Sequence, residues 1–370
     1  MVTIPFIKNV EFVANIITTW HYEVVISYLK SDECRYKNGS IFIIPQSNIQ
    51  NKSAKRLNDE TLINIDNINI KYINIEGFDY LASTNFSRKE LFSLVLKNIF
   101  VRDKKAIDVF NPGKINIRSI FNLLKYGYNR INYILYDEGT ASYLSDTNHH
   151  FIVNKFTDNN KKSDFIRKLK TTFKYFIKNT TINLLRFLGI LNIKEYMLFQ
   201  KKAGKLVPNN NVVENLKNIY NTGNIDTTEK TGGVLILKDF DEKMIPKKQI
   251  IPFFIEIINR LGLENETIYI KKHPNDLDTG FDKEIIRKFP NIEIIHDKIG
   301  AEMLAVKYKP RLLIGGISTS AFTLPIIFGI KSYNFILIYK KYSLDRDYLY
   351  RINKFHSYFK GQQKLIEFIE

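Results

Sequence analysis

Short apolar runs rich in β-branched residues alternate with amphipathic patterns through the first 136 residues of the chain. Apolar residues at three- and four-residue spacing predict helices, and short continuous apolar runs predict strands. The strands are predicted at Val10–Ile17, Ser40–Pro45, Ile68–Ile75, Ile107–Phe110 and Tyr133–Tyr136, and the helices at Thr18–Lys30, Lys89–Phe100 and Ile117–Lys125. Strands that alternate with helices in this way indicate a parallel sheet covered by helices.

The alternation of predicted strands and helices begins again near residue 233. Strands are predicted at Gly233–Leu237, Thr267–Lys271, Ile292–Ile295, Arg311–Ile314 and Ser332–Ile338, and helices at Lys248–Leu261, at Gly300–Tyr308 and from about Ala321. The Gly- and Thr-rich stretch 221–233 predicts a linker. We therefore expect an α/β protein of two Rossmann-like domains that face each other across a cleft, the first at residues 1–220 and the second at residues 234–370.

A basic helical insertion is predicted within the first domain, at about residues 159–198. Residues 159–178 carry seven Lys or Arg against one Asp, while Phe165, Leu169 and Phe173 recur at helical spacing. A more apolar helix is predicted at Thr181–Leu198. The basic helix either lies on an anionic membrane or glycolipid, or packs its apolar stripe on its own domain.

The composition indicates a basic protein of a reducing compartment. A count of 55 Lys and Arg against 38 Asp and Glu gives a formal net charge of +17, which favours anionic partners. The one cysteine, Cys34, excludes an intrachain disulfide, so we expect a cytoplasmic location. Leu312–Ile330 is uncharged, but Gly315, Gly316 and Pro325 within it favour a strand, a turn and a helix over a membrane span.

Two polar motifs follow predicted strands, where ligands of open α/β sheets bind. Asp137 and Glu138, followed by Gly139, are adjacent carboxylates that suit acid–base catalysis, although a solvated acidic turn has the same sequence. In the run Lys271–Pro274, His273 follows two lysines that would hold an anionic ligand close. An incidental loop histidine is the alternative.

A third motif, Gly315–Ser320, leads from a strand into a helix. Its glycines allow close backbone approach, and its hydroxyls either bind phosphate oxygens or cap the helix. Two weaker signals are Asp239–Asp241, which has the Asp-X-Asp spacing of some metal sites but favours a plain acidic loop, and the pair Trp20 and His21. This pair starts the first helix and could face the cleft, although core packing is favoured for the tryptophan.

The order of these motifs, an acidic pair with Gly, then His-Pro, then Ser/Thr after Gly-Gly, resembles that of bacterial sialyltransferases. Among them the chain is most similar to the lipooligosaccharide sialyltransferases of glycosyltransferase family 52, over Val10–Phe335. The resemblance implies a GT-B fold and metal-independent, inverting transfer of sialic acid from CMP-sialic acid. The implied acceptor is a terminal sugar, such as galactose, on a lipooligosaccharide or capsule glycan. No cofactor is implied beyond the donor.

The resemblance also assigns roles. The first domain would lie on the acceptor side, and the second would bind the nucleotide sugar. Asp137 or Glu138 would be the general base for the acceptor hydroxyl, and His273 the general acid or electrostatic partner of the departing CMP phosphate. The residues expected to bind the nucleotide and its phosphate are Gly139, Lys272, Pro274, Gly315, Gly316, Ser318, Thr319 and Ser320. Such a set suits the reaction, which needs a base, stabilisation of an oxocarbenium-like centre and neutralisation of a leaving phosphate.

Two other functions are weighed against this one. Another CMP-sugar transferase, such as a polysialyltransferase or a capsule-type transferase, shares the acidic and His-Pro motifs and differs in its acceptor. A basic nucleic-acid-binding protein is the alternative from another class, and it is disfavoured because the lysines are spread along the chain without a recognisable binding motif. Peripheral binding to the inner face of the cell membrane and a homodimer are both compatible with the sequence.

Overall fold

Two six-stranded parallel β-sheets form the framework of the chain in its computed structural model. Among the described residues, those up to Met197 belong to one compact unit and those from Leu198 onward to a second. The structure describes residues 9–43, 65–74, 87–101, 105–113, 115–137, 173, 176–202, 205–221, 232–238, 245–272, 279–296, 300–342, 349, 352–353, 356–357, 359–360 and 366–369.

The first unit contains strands β1 to β6. They lie at Phe12–Ile16, Asn38–Ile43, Asn69–Asn74, Ala106–Pro112, Arg130–Tyr136 and Leu191–Tyr196. Their order in the sheet is β3-β2-β1-β4-β5-β6, and all neighbours are parallel. The strand order reverses between β1 and β4, so the carboxyl ends of these two strands form the topological switch point at which such sheets bind ligands.

Four described helices accompany this sheet: α1 (Thr19–Leu29), α2 (Arg88–Ile99), α3 (Ile117–Lys125) and α4 (residues 176–187). Side-chain caps define where they begin. The Thr18 hydroxyl accepts a hydrogen bond from the His21 N–H at 3.2 Å, and Ser87 and Glu90 form a reciprocal capping box. The buried apolar core on one face of the sheet includes Val13 and Val109.

The second unit repeats the same architecture. Its sheet consists of β9 (Val234–Lys238), β10 (Ile268–Lys272), β11 (Ile292–Ile295), β12 (Leu312–Gly315), β13 (Lys331–Asn334) and β14 (Ile366–Phe368). Their order in the sheet is β11-β10-β9-β12-β13-β14, again with parallel neighbours. Its switch point therefore lies between β9 and β12.

The described part of the second unit also contains a hairpin, six helices with established bounds, and helical residues at 349, 352–353, 356–357 and 359. The antiparallel hairpin consists of β7 (Phe199–Lys202) and β8 (Lys205–Pro208). The helices are α5 (Asn210–Asn221), α6 (Lys247–Leu261), α7 (Thr279–Lys288), α8 (Ala301–Tyr308), α9 (Ser320–Phe328) and α10 (Tyr339–Tyr342). The predicted α/β class, with the two Rossmann-like sheets of the GT-B fold, is confirmed.

Two predicted elements differ from those observed. The helix predicted at Thr181–Leu198 ends at residue 187, because Gly189 adopts φ +67°, and the chain then forms β6 beside β5. The strand predicted at Ser332–Ile338 ends at Asn334 and is followed by α10. The uncharged stretch Leu312–Ile330 forms β12, a turn and α9, as expected. Among the described residues, no helix is long and apolar enough to cross a membrane.

The division between the units also differs from the predicted boundary at residue 221. Helix α5, which was assigned to the first domain, packs against α9 in the second unit, where the Tyr220 and Phe328 rings lie 5.3 Å apart. Most of the predicted linker and most of the basic segment 159–178 lie outside the described residues. The acceptor-side and nucleotide-binding roles of the two domains stay predictions.

Candidate active site

Polar side chains gather at the carboxyl edge of the first sheet. Asn15 lies near the end of β1 and Asn111 near the end of the adjacent β4. The Asn15 Nδ2 donates a hydrogen bond to the Asn111 Oδ1 at 2.8 Å, and the Asn111 Nδ2 donates to the Pro112 carbonyl at 3.2 Å. The Tyr136 hydroxyl donates to the Asn15 carbonyl. These bonds join the ends of β1, β4 and β5 at the switch point.

The predicted acidic motif begins at this edge. Asp137 directly follows β5 and is only 1% exposed. A carboxylate in such a position has little access to water, so neighbouring polar groups decide its reactivity. Glu138 and Gly139 lie outside the described residues, so the choice between the two carboxylates as base stays a prediction.

His21 lies in the first turn of α1 beside the same edge. It is buried, and its ring lies 5.5 Å from the Tyr136 ring in a nearly perpendicular arrangement. The Ile17 N–H donates to its Nδ1 at 3.3 Å. Because Nδ1 acts as an acceptor, the proton of the neutral imidazole lies on Nε2. The sequence analysis noted His21 without assigning it a role, whereas the structure places its ring beside Tyr136 of β5, the strand that precedes Asp137.

In the second unit, the turn Gly315–Ser320 connects β12 to α9 at the switch point. Gly315 is required because a Cβ there would lie 2.7 Å from the Cβ of Ala321 in α9. The next carbonyl, that of Gly316, accepts a hydrogen bond from the buried Asn334 Nδ2 at 2.7 Å. These contacts hold the turn close to the start of α9. Ser318 and Thr319 are half-buried in it.

The hydroxyl of Ser320 has a partner that the sequence analysis did not foresee. Its Oγ donates to the Glu302 Oε1 of α8 at 2.9 Å, and the Thr323 Oγ1 donates to the same oxygen at 3.1 Å. Burial raises the pKa of Glu302 above its ordinary value, against the lowering effect of these hydrogen bonds. Ser320 therefore links the turn to α8, whereas it was predicted to bind phosphate.

Lysines end β9, the strand next to β12, and β10, the strand beyond β9. Lys272 was predicted as a binding residue, and its Nζ lies 3.0 Å from both carboxylate oxygens of Asp282 in α7. Lys238 was missed by the sequence analysis. It ends β9 at the switch point, is 2% exposed, and its Nζ lies 4.9 Å above the centre of the Phe281 ring. The available sequence signal was a lysine directly after the apolar run Gly233–Leu237.

His273, Pro274 and Asp239–Asp241 lie outside the described residues, so their predicted roles are not tested by the structure. Within the described ranges, no group of three or more His, Cys, Asp or Glu side chains is arranged to hold a metal ion. Each unit thus has its own set of candidate groups at the carboxyl edge of its sheet. The first unit has a buried carboxylate and amides there, and the second has lysines and a glycine-containing hydroxyl turn.

Comparison with known proteins identifies a matching family. The family described as alpha-2,8-polysialyltransferase (POLYST) matches residues 12–336. No curated protein matches the chain significantly.

Several solved structures are distantly similar. The UDP-GlcNAc 2-epimerase from Methanocaldococcus jannaschii is 11% identical with a TM-score of 0.38, over 97% of this chain and 88% of that chain. MurG from Acinetobacter baumannii is 13% identical with a TM-score of 0.37, over 97% and 85% of the two chains. A glycosyl transferase of family 9 from Veillonella parvula DSM 2008 is 13% identical with a TM-score of 0.34, over 88% and 80%.

Proposed function

The chain belongs to the alpha-2,8-polysialyltransferase family, and from this premise we propose that it is an inverting sialyltransferase that uses CMP-sialic acid as donor. The family match over residues 12–336 carries the proposal. It supports a sialyltransferase-type glycosyltransferase, whereas the narrower resemblance to family 52 is not confirmed. The family description favours the polysialyltransferase alternative. The acceptor we propose is therefore the terminal sialic acid of an α2,8-linked chain rather than a galactose.

The proposed reaction is a single displacement at the anomeric carbon of sialic acid. The acceptor hydroxyl oxygen forms a bond to this carbon while the bond from the carbon to the CMP phosphate oxygen breaks, and CMP leaves with the electron pair. The hydroxyl proton passes to Asp137 or Glu138. Asp137 suits this role because it is buried at the carboxyl end of β5, where such sheets bind ligands.

The second unit would hold the leaving CMP. The Gly315–Ser320 turn would place the Ser318 and Thr319 hydroxyls and the positive end of the α9 dipole beside a phosphate. Lys238 adds a positive charge at the same switch point. His273 is retained as the proposed partner of the departing phosphate. We propose that these groups neutralise the phosphate without a metal ion and without a cofactor.

Calorimetry and turnover on the same sample test this function. We expect the protein to bind CMP in preference to UDP and to extend an oligosialic acid primer from CMP-sialic acid. The double variant Asp137→Asn, Glu138→Gln should lose transfer and keep CMP affinity, because only the base is removed. Asp66→Asn, an exposed turn residue, is the matched control. Failure to bind any cytidine nucleotide would contradict the proposed donor, and a double variant that transfers at the wild-type rate would contradict the base.

Peripheral membrane binding is proposed for a surface of the first unit. Eight large apolar side chains are exposed on or beside α2 and α4: Phe92, Leu96, Phe100, Phe173, Phe176, Ile177, Leu184 and Phe187. Phe100 and Phe187 are 80% and 87% exposed. Both helices pack their other face on the core of the unit, through Leu91, Val95, Ile182 and Leu185. Exposed apolar side chains that recur along a helix mark an interaction surface.

The charges near these stripes favour an anionic lipid surface. Lys89 and Lys97 of α2 and Arg186 of α4 are exposed, and Glu90 is the one acidic residue in either helix. Basic side chains beside exposed aromatic ones are typical of helices that lie in the membrane interface. The expected location, on the inner face of the cell membrane, stays a prediction.

Flotation with vesicles tests the membrane proposal. The variant Phe100→Ser, Phe187→Ser should lose binding to vesicles that contain phosphatidylglycerol, and raised salt should weaken the wild-type interaction. Ile286→Ser, an exposed apolar residue of the second unit, is the matched control and should bind as the wild type does. Equal flotation of wild type and the double variant would refute the surface.

A further inference from the structure

One face of the first sheet changes from apolar to polar at the switch point. Val13 of β1 and Val109 of β4 pair in register and belong to the buried core. Side chains alternate between faces along a strand, so the residues two positions further, Asn15 and Asn111, follow the same face. On this face, the apolar core is therefore followed at the carboxyl edge of the sheet by the amides of Asn15 and Asn111.

The hydrogen bonds of these amides leave one buried oxygen unused. The Pro112 carbonyl accepts from the Asn111 Nδ2, which turns the Asn111 Oδ1 toward the Nδ2 of Asn15. The orientation of Asn15 follows from this bond, because a reversed amide would face two oxygens toward each other. Asn15 is 6% exposed, and within the described part of the chain its Oδ1 has no hydrogen-bond partner. Buried acceptors without a donor are rare in native proteins.

A buried donor lies in the adjacent turn. Trp20 is in the first turn of α1, five residues after Asn15, and its Nε1 is likewise buried without a partner among the described residues. The end of β1 and the first turn of α1 therefore carry one buried acceptor and one buried donor without partners among the described residues. Asp137 follows β5 at the same edge of the sheet. A sugar hydroxyl both donates and accepts hydrogen bonds, so it complements this set.

We propose that Asn15 and Trp20 form a binding subsite for the hydroxyl groups of the acceptor sugar, beside the carboxylate of Asp137. The inference rests on the proposed sialyl transfer and adds the residues that select the acceptor. In the bound state the Asn15 Oδ1 accepts from one sugar hydroxyl, and the Trp20 Nε1–H donates to a sugar oxygen. These two atoms thereby gain the hydrogen-bond partners that the described residues do not supply.

The test separates acceptor binding from donor chemistry. Asn15→Leu keeps the number and branching of the side-chain heavy atoms and removes the amide, and Trp20→Phe removes the N–H. Each variant is expected to raise the KM for an oligosialic acid primer about tenfold, the effect of one lost hydrogen bond in a buried site, while hydrolysis of CMP-sialic acid and CMP affinity stay at wild-type levels. Asn98→Leu is the matched control, because its buried amide donates to the Leu94 carbonyl within α2.

The outcomes distinguish the two levels of the proposal. An unchanged primer KM in both folded variants, with normal wild-type transfer, would overturn the subsite and leave the proposed function in place. A wild-type protein that transfers no sialic acid, but binds the primer by calorimetry and loses that binding in Trp20→Phe, would overturn the function and support the subsite. Absence of both transfer and primer binding would overturn both. If Asn15→Leu does not fold, Trp20→Phe carries the test.

Discussion

Removing the carboxyl group of Glu302 should loosen the turn that we propose to hold the donor phosphate. The Glu302 Oε1 accepts hydrogen bonds from the Ser320 and Thr323 hydroxyls, at 2.9 and 3.1 Å. In Glu302→Ala both hydroxyls lose their acceptor. Thr323 is buried and has no access to water, whereas Ser320 is half-buried and can be hydrated.

The magnitude follows from the number of groups left without partners. A buried donor without an acceptor costs about 1–3 kcal/mol, so Thr323 sets most of the effect and Ser320 adds less. Together with the volume lost on truncation, Glu302→Ala should reduce the free energy of unfolding by about 2–4 kcal/mol. Glu302→Gln keeps an oxygen acceptor of the same shape, so its stability at neutral pH should stay within about 1 kcal/mol of the wild type.

The pH dependence of the free energy of unfolding tests the buried carboxyl group of Glu302 more specifically. Burial raises the pKa of Glu302 in the folded protein above its ordinary value of 4.5. Between pH 4.5 and the raised pKa, the folded state keeps a proton on Glu302 that the unfolded state has lost. The free energy of unfolding therefore falls as pH rises through this range, and it is constant at higher pH. The amide of Glu302→Gln does not titrate, so this contribution to the pH dependence is absent from the variant. Relative to the wild type, this variant should gain stability as pH rises from about 4.5.

Urea unfolding of wild type, Glu302→Gln and Glu302→Ala across this pH range is the assay, with calorimetric CMP titration of the same samples. Glu284→Ala, an exposed carboxylate of α7, is the matched control and should change little. The Ala variant should also lose CMP affinity about fivefold, a modest loss because the turn itself remains. A constant difference between wild type and Glu302→Gln at every pH, or wild-type stability in Glu302→Ala, would refute the reasoning.

Three further variants probe the second unit. Gly315→Ala places a Cβ 2.7 Å from that of Ala321, so it should destabilise the fold by about 1–3 kcal/mol and weaken CMP binding; wild-type melting and affinity would contradict the close approach. Asp282→Asn removes the carboxylate from Lys272, whose side chain is 12% exposed like that of its partner, and should reduce the urea midpoint without reducing CMP affinity. Lys238→Met removes a buried charge, and should weaken CMP binding in calorimetry while stability holds or rises; unchanged affinity would exclude Lys238 from the phosphate site.

The sequence predicted much of the fold because strong patterns coincide with element bounds. Helix α3 has the predicted bounds Ile117–Lys125, and β11 the predicted bounds Ile292–Ile295. The predicted helix Thr181–Leu198 was wrong beyond residue 187, since apolar residues continue past Gly189 and periodicity alone does not separate a helix end from a short strand. Helices α5 and α7 were not predicted, although apolar residues recur at helical spacing in α5, as in Val212, Leu216 and Ile219.

The contacts of the site were harder to predict because they join distant parts of the chain. Asn15 and Asn111 are 96 residues apart and meet because β1 and β4 are neighbours, which requires the strand order of the sheet. Similarly, Glu302 meets Ser320 through the packing of α8 on α9. The sequence identified the Gly315–Ser320 turn from its local chemistry, but it could not show that the Ser320 hydroxyl bonds to a carboxylate.

Mass spectrometry of an oligosialic acid primer after incubation with CMP-sialic acid tests the central claim most directly. The account predicts that the wild-type protein extends the primer by sialic acid units and releases CMP, and that the double variant Asp137→Asn, Glu138→Gln does neither above the rate of hydrolysis. A primer that stays unextended while CMP-sialic acid is neither bound nor consumed would contradict the proposed sialyl transfer.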